Sequence, residues 1–216
     1  MSDYELPPPV EERQETLLTG DGVRLDARIA PPAAGVVGRA VICHPHPLMG
    51  GTMENKVVVI CARAAAACGY ATVRFNFRGV GASSGHHGEG VNERDDVRAA
   101  LGAADLLVEG GVRALVGFSF GSAVSAALVN EGEDVDRLVL VGVPLGTMDV
   151  PTPPLPAEGL TVIVGDQDSF CPVSRARSFV ASYRSDLARL CVIPGADHFF
   201  HRRLDALAHA MREALE

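Results

Sequence analysis

The sequence predicts an α/β protein with a mostly parallel sheet, helices on both faces and an antiparallel hairpin at its N-terminal end. From residue 39 onward, short apolar segments of strand length alternate with longer segments of helical character. This alternation implies right-handed crossovers that place successive strands parallel to one another. Before residue 39, two segments of alternating polar and apolar residues flank a glycine-rich turn, as expected for a hairpin.

The predicted elements follow one another closely along the chain. The hairpin strands are residues 15–19 and 23–29, joined by Gly20-Asp21-Gly22, and Pro31-Pro32 ends them because proline cannot donate to a ladder. We expect residues 1–14 to form a flexible tail and residues 15–216 to form one domain. The further strands are expected at 39–43, 70–75, 112–116, 137–143, 160–164 and 190–193, and the helices at 53–68, 92–109, 122–129, 172–182 and 198–214.

The most informative motif is Gly117-Phe118-Ser119-Phe120-Gly121, which lies between a predicted strand and a predicted helix. A G-x-S-x-G turn at such a junction lifts the serine hydroxyl above the sheet edge, where a base can reach it. The two glycines keep the crowded turn free of side chains. The motif therefore predicts that Ser119 is a nucleophile, although a plain turn whose serine caps the helix has the same pattern.

An acid and a base are expected at the ends of the last two strands. Asp166 and Asp168 follow the strand that ends at residue 164, and His198 and His201 follow the strand that ends at residue 193. We favour Asp168 because it lies far enough past the strand to reach across, while Asp166 stays an alternative. His198 is at the loop–helix junction, whereas His201 is expected on a helix face. Serine, acid and histidine then occur in the order that a catalytic triad of this kind shows.

The sequence also predicts which two backbone N–H groups would form an oxyanion hole. One should be the N–H of Phe120, the residue after the nucleophile. The other should lie in the loop after the strand at 39–43, which reads His44-Pro45-His46-Pro47. Because proline has no N–H, His46 is the only donor between the two prolines.

Other polar residues of the central loops receive structural interpretations. Arg78 should tie down its glycine-rich loop, and His86 and His87 should be solvated. The alternative, that these two histidines join His44 and His46 in a metal cluster, lacks a carboxylate or cysteine at matching spacing, so we expect no metal and no cofactor.

Composition limits the partners and the compartment. The net charge of −8 disfavours nucleic acid and anionic membrane surfaces. The N-terminal residues lack the features of a signal peptide, and no apolar segment is long enough to span a bilayer. An odd number of scattered cysteines indicates free thiols in a reducing compartment, so we expect a cytoplasmic protein of undetermined oligomeric state. The five are Cys43, Cys61, Cys68, Cys171 and Cys191.

Several motifs together resemble the α/β-hydrolase superfamily, in particular its small bacterial members that are similar to dienelactone hydrolase and have little or no lid. The motifs are HPHPLMGGTMENK at 44–56, RFNFRGVGASSG at 74–85, GFSFG at 117–121, GDQD at 165–168 and GADHFF at 195–200. The resemblance implies the α/β-hydrolase fold, with Ser119, Asp168 and His198 as the triad. Two departures stand out: dienelactone hydrolases proper use a cysteine nucleophile, and residues 144–159 leave room only for a short flap instead of a helical lid.

The resulting expectation is a serine hydrolase that cleaves a carboxylic ester or thioester of a small molecule through an acyl-enzyme. An acyltransferase with the same triad and a non-catalytic interaction subunit with the same fold are the alternatives. Apolar residues next to the predicted site indicate an open pocket for a short or medium acyl chain. The residues expected to line it are Leu48, Met49, Val143, Leu145, Phe170 and Phe199.

Overall fold

The computed structural model describes residues 5–33 and 35–216. Within this part of the chain, eight β-strands form one sheet, and five α-helices pack on it. The strands are β1 (Arg13–Leu18), β2 (Arg24–Ala30), β3 (Gly38–Cys43), β4 (Tyr70–Phe75), β5 (Val112–Phe118), β6 (Arg137–Val141), β7 (Leu160–Gly165) and β8 (Ala188–Ile193). The helices are α1 (Lys56–Ala67), α2 (Glu93–Asp105), α3 (Phe120–Asn130), α4 (Val173–Ala181) and α5 (Leu204–Leu215).

The sheet has the strand order β1-β2-β4-β3-β5-β6-β7-β8. β1 pairs with β2 and β2 with β4 in antiparallel fashion, whereas the other neighbours are all parallel. The mostly parallel sheet with an antiparallel N-terminal hairpin is therefore confirmed. Because β3 to β8 run in one direction, their carboxyl ends share one edge, which is where sites gather in such sheets.

Alternating side chains of the central strands supply two cores, one on each face of the sheet. In β5, Leu115 points to the core beneath α2, α3 and α4, while its neighbours Ala114 and Val116 point to the core beneath α1 and α5. All three are fully buried. This burial on both faces explains why the strands read as continuous apolar segments.

The N-terminal boundary differs from the expected one. β1 begins at Arg13, within the predicted tail, because Arg13 and Gln14 pair with Ile29 and Arg28 of β2. Glu12 accepts a hydrogen bond from Arg74 Nε at 2.8 Å. Residues 1–4 of the predicted tail lie outside the described residues.

Two helices, α1 and α5, begin several residues later than the sequence predicts, while α2 and α4 begin one residue later. α1 begins at Lys56, since the side chain of Asn55 caps it by accepting from Val57 N. Asn92 makes no side-chain cap for α2. α5 begins at Leu204, because residues 198–203 form turns in which Phe200 and Arg202 have positive φ. The earlier residues of the predicted helices α1 and α5 belong to loops at the strand ends.

The segment between β6 and β7 carries no helix, so this segment forms no helical lid over the edge of the sheet. Residues 142–159 run as bends, turns and irregular chain. None of the helices in the described ranges is long and apolar enough to cross a membrane.

Candidate active site

Three side chains that are far apart in the sequence meet at the carboxyl edge of the sheet. Ser119 follows β5, Asp168 follows β7 and His198 follows β8. His198 Nε2 lies 2.9 Å from Ser119 Oγ, and His198 Nδ1 lies 2.8 Å from Asp168 Oδ2. Because an ionised carboxylate only accepts hydrogen bonds, Nδ1 carries the proton and Nε2 is free to accept the serine proton.

The turn that carries Ser119 is sterically crowded. Ser119 has φ 54° and ψ −117°, a conformation that L residues rarely adopt. A Cβ on Gly117 would lie 2.4 Å from Ser122 Cα, and a Cβ on Gly121 would lie 2.6 Å from Cys43 O. Both neighbours must therefore be glycine, and the turn points the Ser119 hydroxyl out of the edge of the sheet towards His198.

Asp168 and His198 are buried and tightly held. Asp168 is 5% exposed, and its Oδ1 accepts from the backbone N–H groups of Phe170 and Cys171 at 2.8 and 2.9 Å. The His198 ring is 4.5 Å from the ring of Phe170 and 5.1 Å from that of Phe199, measured between centroids. With both carboxylate oxygens engaged and the imidazole enclosed by aromatic rings, the hydrogen-bonded chain is preorganised.

The alternative acid and the second histidine lie elsewhere. Asp166 is exposed, and its Oδ1 accepts from Gly195 N at 2.7 Å, which joins the loops after β7 and β8. His201 is also exposed and contacts Asp197 at 2.7 Å, in a turn before α5 and not on a helix face as predicted. Neither residue contacts Ser119.

The two residues predicted to supply the oxyanion donors line the cavity beside Ser119. His46 and Phe120 both line the same cavity as Ser119. Among the described residues, no protein acceptor takes a hydrogen bond from the backbone N–H of either one. Two unpaired N–H groups at the wall of a cavity fit the requirement of an oxyanion hole.

His44 anchors the loop that carries His46. Its Nε2 accepts from Phe77 N at 3.0 Å, and its Nδ1 donates to Pro45 O at 2.6 Å. Burial lowers the pKa of His44 to about 4. The ring is therefore neutral near pH 7 and holds the loop in one place, which is a structural role instead of metal binding.

The expectation of a solvated His87 is wrong. Its Nδ1 lies 2.7 Å from Glu93 Oε1 without making a hydrogen bond, and its ring packs 5.1 Å from that of His46, measured between centroids. Glu93 is fully buried and accepts from the N–H groups of Gly88 and Gly90. Sequence analysis missed this pair, since the glycine-rich loop gave no sign that it folds back over the site.

Arg78 ties down its loop as expected. Its guanidinium is nearly buried and pairs with Asp96 of α2 at 2.8 Å and with Asp21 of the β1–β2 turn at 2.9 Å. In the loop after β7, burial raises the pKa of the Cys171 thiol to about 12, so this cysteine stays protonated and does not compete with Ser119 as a nucleophile. Within the described residues, no three His, Cys, Asp or Glu side chains come together as a metal site.

A cavity of about 270 Å³ opens beside Ser119. Met49, Phe170 and Phe199 line it, as predicted, but three other expected residues do not. Leu48 points to solvent at 72% exposure, Val143 is fully buried in the core, and Leu145 packs on that core away from the cavity. The lining residues are Pro45, His46, Met49, Gly50, Gly51, Asn55, Ser119, Phe120, Pro144, Thr147, Met148, Phe170, His198 and Phe199.

The lining residues that were missed from the sequence include Asn55, Thr147 and Met148. Asn55 was placed inside a helix, where its side chain carried no functional signal. Thr147 and Met148 lie in the proline-rich segment after β6, which has no periodicity to show its direction. The glycine-rich turn before Asn55, with its fit to a helix cap, was the one available clue.

The sequence matches a known family and a known protein. A family model described as the alpha/beta hydrolase fold matches residues 48–164. A protein of Rickettsia prowazekii described as uncharacterized is 30% identical over 204 residues, which cover 89% of this chain and 84% of that protein.

Solved structures give the same result. A serine hydrolase without a lid from Xanthomonas campestris is 32% identical, with a TM-score of 0.83, over 96% of this chain and 95% of that one. An alpha-beta serine hydrolase homologue from Coxiella burnetii is 35% identical, with a TM-score of 0.85, over 94% of this chain and 97% of that one.

Proposed function

The chain belongs to the alpha/beta hydrolase family, and from this membership we propose that it is a serine hydrolase that cleaves carboxylic esters or thioesters. The observation that carries the proposal is the hydrogen-bonded chain from Ser119 through His198 to Asp168. The fold alone supports hydrolase activity in general, whereas the choice of bond and of nucleophile rests on this chain of contacts and on the cavity beside it.

The first half of the proposed reaction transfers the acyl group to Ser119. Ser119 Oγ attacks the carbonyl carbon of the substrate while its proton passes to His198 Nε2. The carbonyl oxygen becomes an oxyanion that accepts from the N–H groups of His46 and Phe120. Asp168 stabilises the imidazolium through Nδ1. The C–O or C–S bond then breaks, and His198 gives its proton to the departing alcohol or thiol.

The second half releases the acid. A water molecule enters the open cavity, loses a proton to His198 and attacks the ester formed on Ser119. The tetrahedral intermediate uses the same two N–H donors, and its collapse returns the proton to Ser119 Oγ. Since no lid covers the site, water and substrate reach Ser119 from the same side.

The proposal is tested by turnover of p-nitrophenyl acetate, butyrate and hexanoate, and of the matching acyl thioesters. We expect hydrolysis by the wild-type protein and a loss of about 10⁵–10⁶ in kcat for Ser119→Ala, as for other serine nucleophiles. Ser125→Ala is the matched control, because Ser125 is buried in α3 and donates to Gly121 O at 2.7 Å. A folded wild-type protein that hydrolyses none of these substrates would instead favour an interaction subunit.

A further inference from the structure

The cavity beside Ser119 contains no fully charged side chain. Its walls are mainly apolar, from Met49, Phe120, Met148, Phe170 and Phe199. In the part of the chain that the structure describes, no Asp, Glu, Lys or Arg side chain lines it. A charged group on a ligand would lose its water here without a compensating ion pair, which is costly. This lining therefore favours a ligand whose bound part is uncharged.

Asn55 supplies an oriented side-chain amide on the wall of this cavity. As the cap of α1, its Oδ1 accepts from Val57 N at 2.9 Å, which fixes the side-chain amide. Its Nδ2 then has two N–H donors, and no hydrogen bond joins them to any described protein atom. Because the helix cap sets the rotation of the amide, this donor is held in place without a ligand.

Asn55 belongs to a different element from the predicted oxyanion donors. It lies at the start of α1, whereas the oxyanion donors belong to the loop after β3 and to the start of α3. The cavity volume of about 270 Å³ is about nine times the roughly 30 Å³ that one water molecule takes up in the liquid. A substrate that fills it therefore extends well beyond the carbonyl group.

We propose that Asn55 is a specificity-determining residue that donates a hydrogen bond from Nδ2 to an uncharged oxygen on the substrate chain. The inference rests on the proposed hydrolase function and narrows its substrate class to neutral esters or thioesters of medium length that carry a second oxygen acceptor, such as a keto or hydroxyl group. An unmodified aliphatic chain leaves the donor without a partner inside an apolar cavity, and this loss disfavours it.

The experiment compares kcat/KM for p-nitrophenyl hexanoate with that for hexanoates carrying one keto group at carbon 4 or carbon 5. A second series places the keto group on the alcohol side of alkyl hexanoates, with acid release followed by titration. The measured quantity is the ratio of oxo to plain ester for each variant, divided by the same ratio for the wild type. This double ratio cancels the intrinsic reactivity of each ester.

Asn55→Ser and Asn55→Asp are the test variants, because serine and aspartate cap helices about as well as asparagine and so preserve α1. Asn130→Ser is the matched control, because Asn130 is exposed at the far end of α3. For at least one oxo ester we expect N55S to lower the ratio about tenfold, N55D to lower it further through repulsion of the acceptor, and N130S to leave it unchanged.

The outcomes separate the two proposals. If the wild type hydrolyses the esters but no ratio changes more than twofold in N55S, the role of Asn55 is refuted while the hydrolase function stands. If the folded wild type hydrolyses none of the esters, the hydrolase function fails and the inference fails with it. If N55S and N55D keep both the wild-type melting temperature and the wild-type ratio, Asn55 acts only as the cap of α1.

Discussion

Ser119 and its two partners are held by many more contacts than the three side chains make with one another. Asp168 uses one oxygen for His198 and the other for two backbone N–H groups. Such a carboxylate cannot rotate away without breaking all three hydrogen bonds. Asp168 therefore sets the orientation of the imidazole. That orientation decides which ring nitrogen faces Ser119 Oγ as the acceptor.

The two aspartates after β7 should behave very differently when each is changed to asparagine. Asp168→Asn should lower kcat about 10⁴-fold, because the amide can donate to Nδ1 and stabilise the wrong tautomer. Asp166→Asn should keep kcat within about threefold, since Asp166 contacts only Gly195 N and an exposed hydrogen bond is worth about 1 kcal/mol. Steady-state kinetics on one ester decides the matter, and equal losses in both variants would contradict the assignment.

His44 should make the protein less stable in acid. Its pKa falls from 6.5 in the unfolded chain to about 4 in the folded protein, so the unfolded state binds the proton first. The stability that the neutral ring supplies is complete above pH 6.5, declines as the pH falls and is lost below about pH 4. The upper limit of this loss is about 3 kcal/mol, at 1.36 kcal/mol per pKa unit.

Urea unfolding at pH 7.5 and pH 4.5 measures this effect. The wild type should lose more stability between the two pH values than His44→Gln, whose amide oxygen can still accept from Phe77 N. Equal losses in the two proteins would show that other groups cause the acid sensitivity.

At the scale of elements, the junction between β5 and α3 brings three strand ends together. Gly121 lies against the backbone of Cys43, the last residue of β3, and Ser119 N donates to Val141 O of β6 at 2.9 Å. The junction therefore fastens three neighbouring strands at their carboxyl ends. The position of the nucleophile relative to the loop of His46 follows from this close backbone contact.

Adding one methyl group at this junction should be far more damaging than adding it to an exposed helix. In Gly121→Ala the new Cβ would lie 2.6 Å from Cys43 O, a backbone atom that cannot yield, so we expect a loss of about 2 kcal/mol or more and most of the activity. Gly102→Ala in α2 meets no atom within 4 Å and should stabilise by about 0.5–1 kcal/mol.

Thermal unfolding of the two glycine variants provides the measurement. A melting temperature for Gly121→Ala equal to that of the wild type would show that the β5–α3 junction tolerates movement. Ester turnover at a temperature where both variants are folded separates lost stability from displaced chemistry.

Sequence pattern predicted the elements well where periodicity was strong and poorly at their ends. Every predicted strand is present, because strands buried on both faces read as apolar segments. The start of α5 was misplaced by several residues, since the side chain of Asp197 accepts from Phe199 N and His201 N and forms a separate turn. A polar residue that caps a turn has no periodicity, so such a boundary depends on contacts that only the folded chain shows.

For the whole molecule, Arg78 joins parts of the chain that are distant in sequence. Its guanidinium contacts Asp96 of α2 and Asp21 of the N-terminal hairpin. The backbone N–H of Arg78 also donates to Asp96 Oδ2. The hairpin at the edge of the sheet is thereby connected to the helix that covers the core. The glycine-rich loop that follows Arg78 leads to α2. It is held at one end by the ion pairs of Arg78 and at the other by the contact between His87 and Glu93.

The two carboxylates around Arg78 should contribute unequally to stability. Asp96→Asn should cost about 3–5 kcal/mol, because Asp96 is fully buried and the change leaves a buried cation without its close partner. Asp21→Asn should cost less than about 1 kcal/mol, since the Asp21 side chain is 46% exposed and solvent screens the pair. Urea midpoints measure both, and similar losses would contradict the central role of Asp96.

The meeting of Ser119, Asp168 and His198 could be predicted from topology, whereas much of the cavity could not. Parallel strands place their carboxyl ends at one edge, so residues that follow β5, β7 and β8 must be near each other. The direction of a side chain in an irregular loop has no such rule. Leu48 and Leu145 were therefore expected in the cavity but point elsewhere, and Asn55 was overlooked although it lines the wall.

The most direct test of the account is covalent labelling with a fluorophosphonate at pH 7.5, followed by mass spectrometry of the intact protein and its peptides. We expect one adduct per chain on Ser119 in the wild type. Labelling of His198→Ala should be slow because the base is lost, and Ser119→Ala should carry no adduct. An adduct on another residue, or no adduct on a wild-type protein shown to be folded, would contradict the claim that Ser119 is the nucleophile.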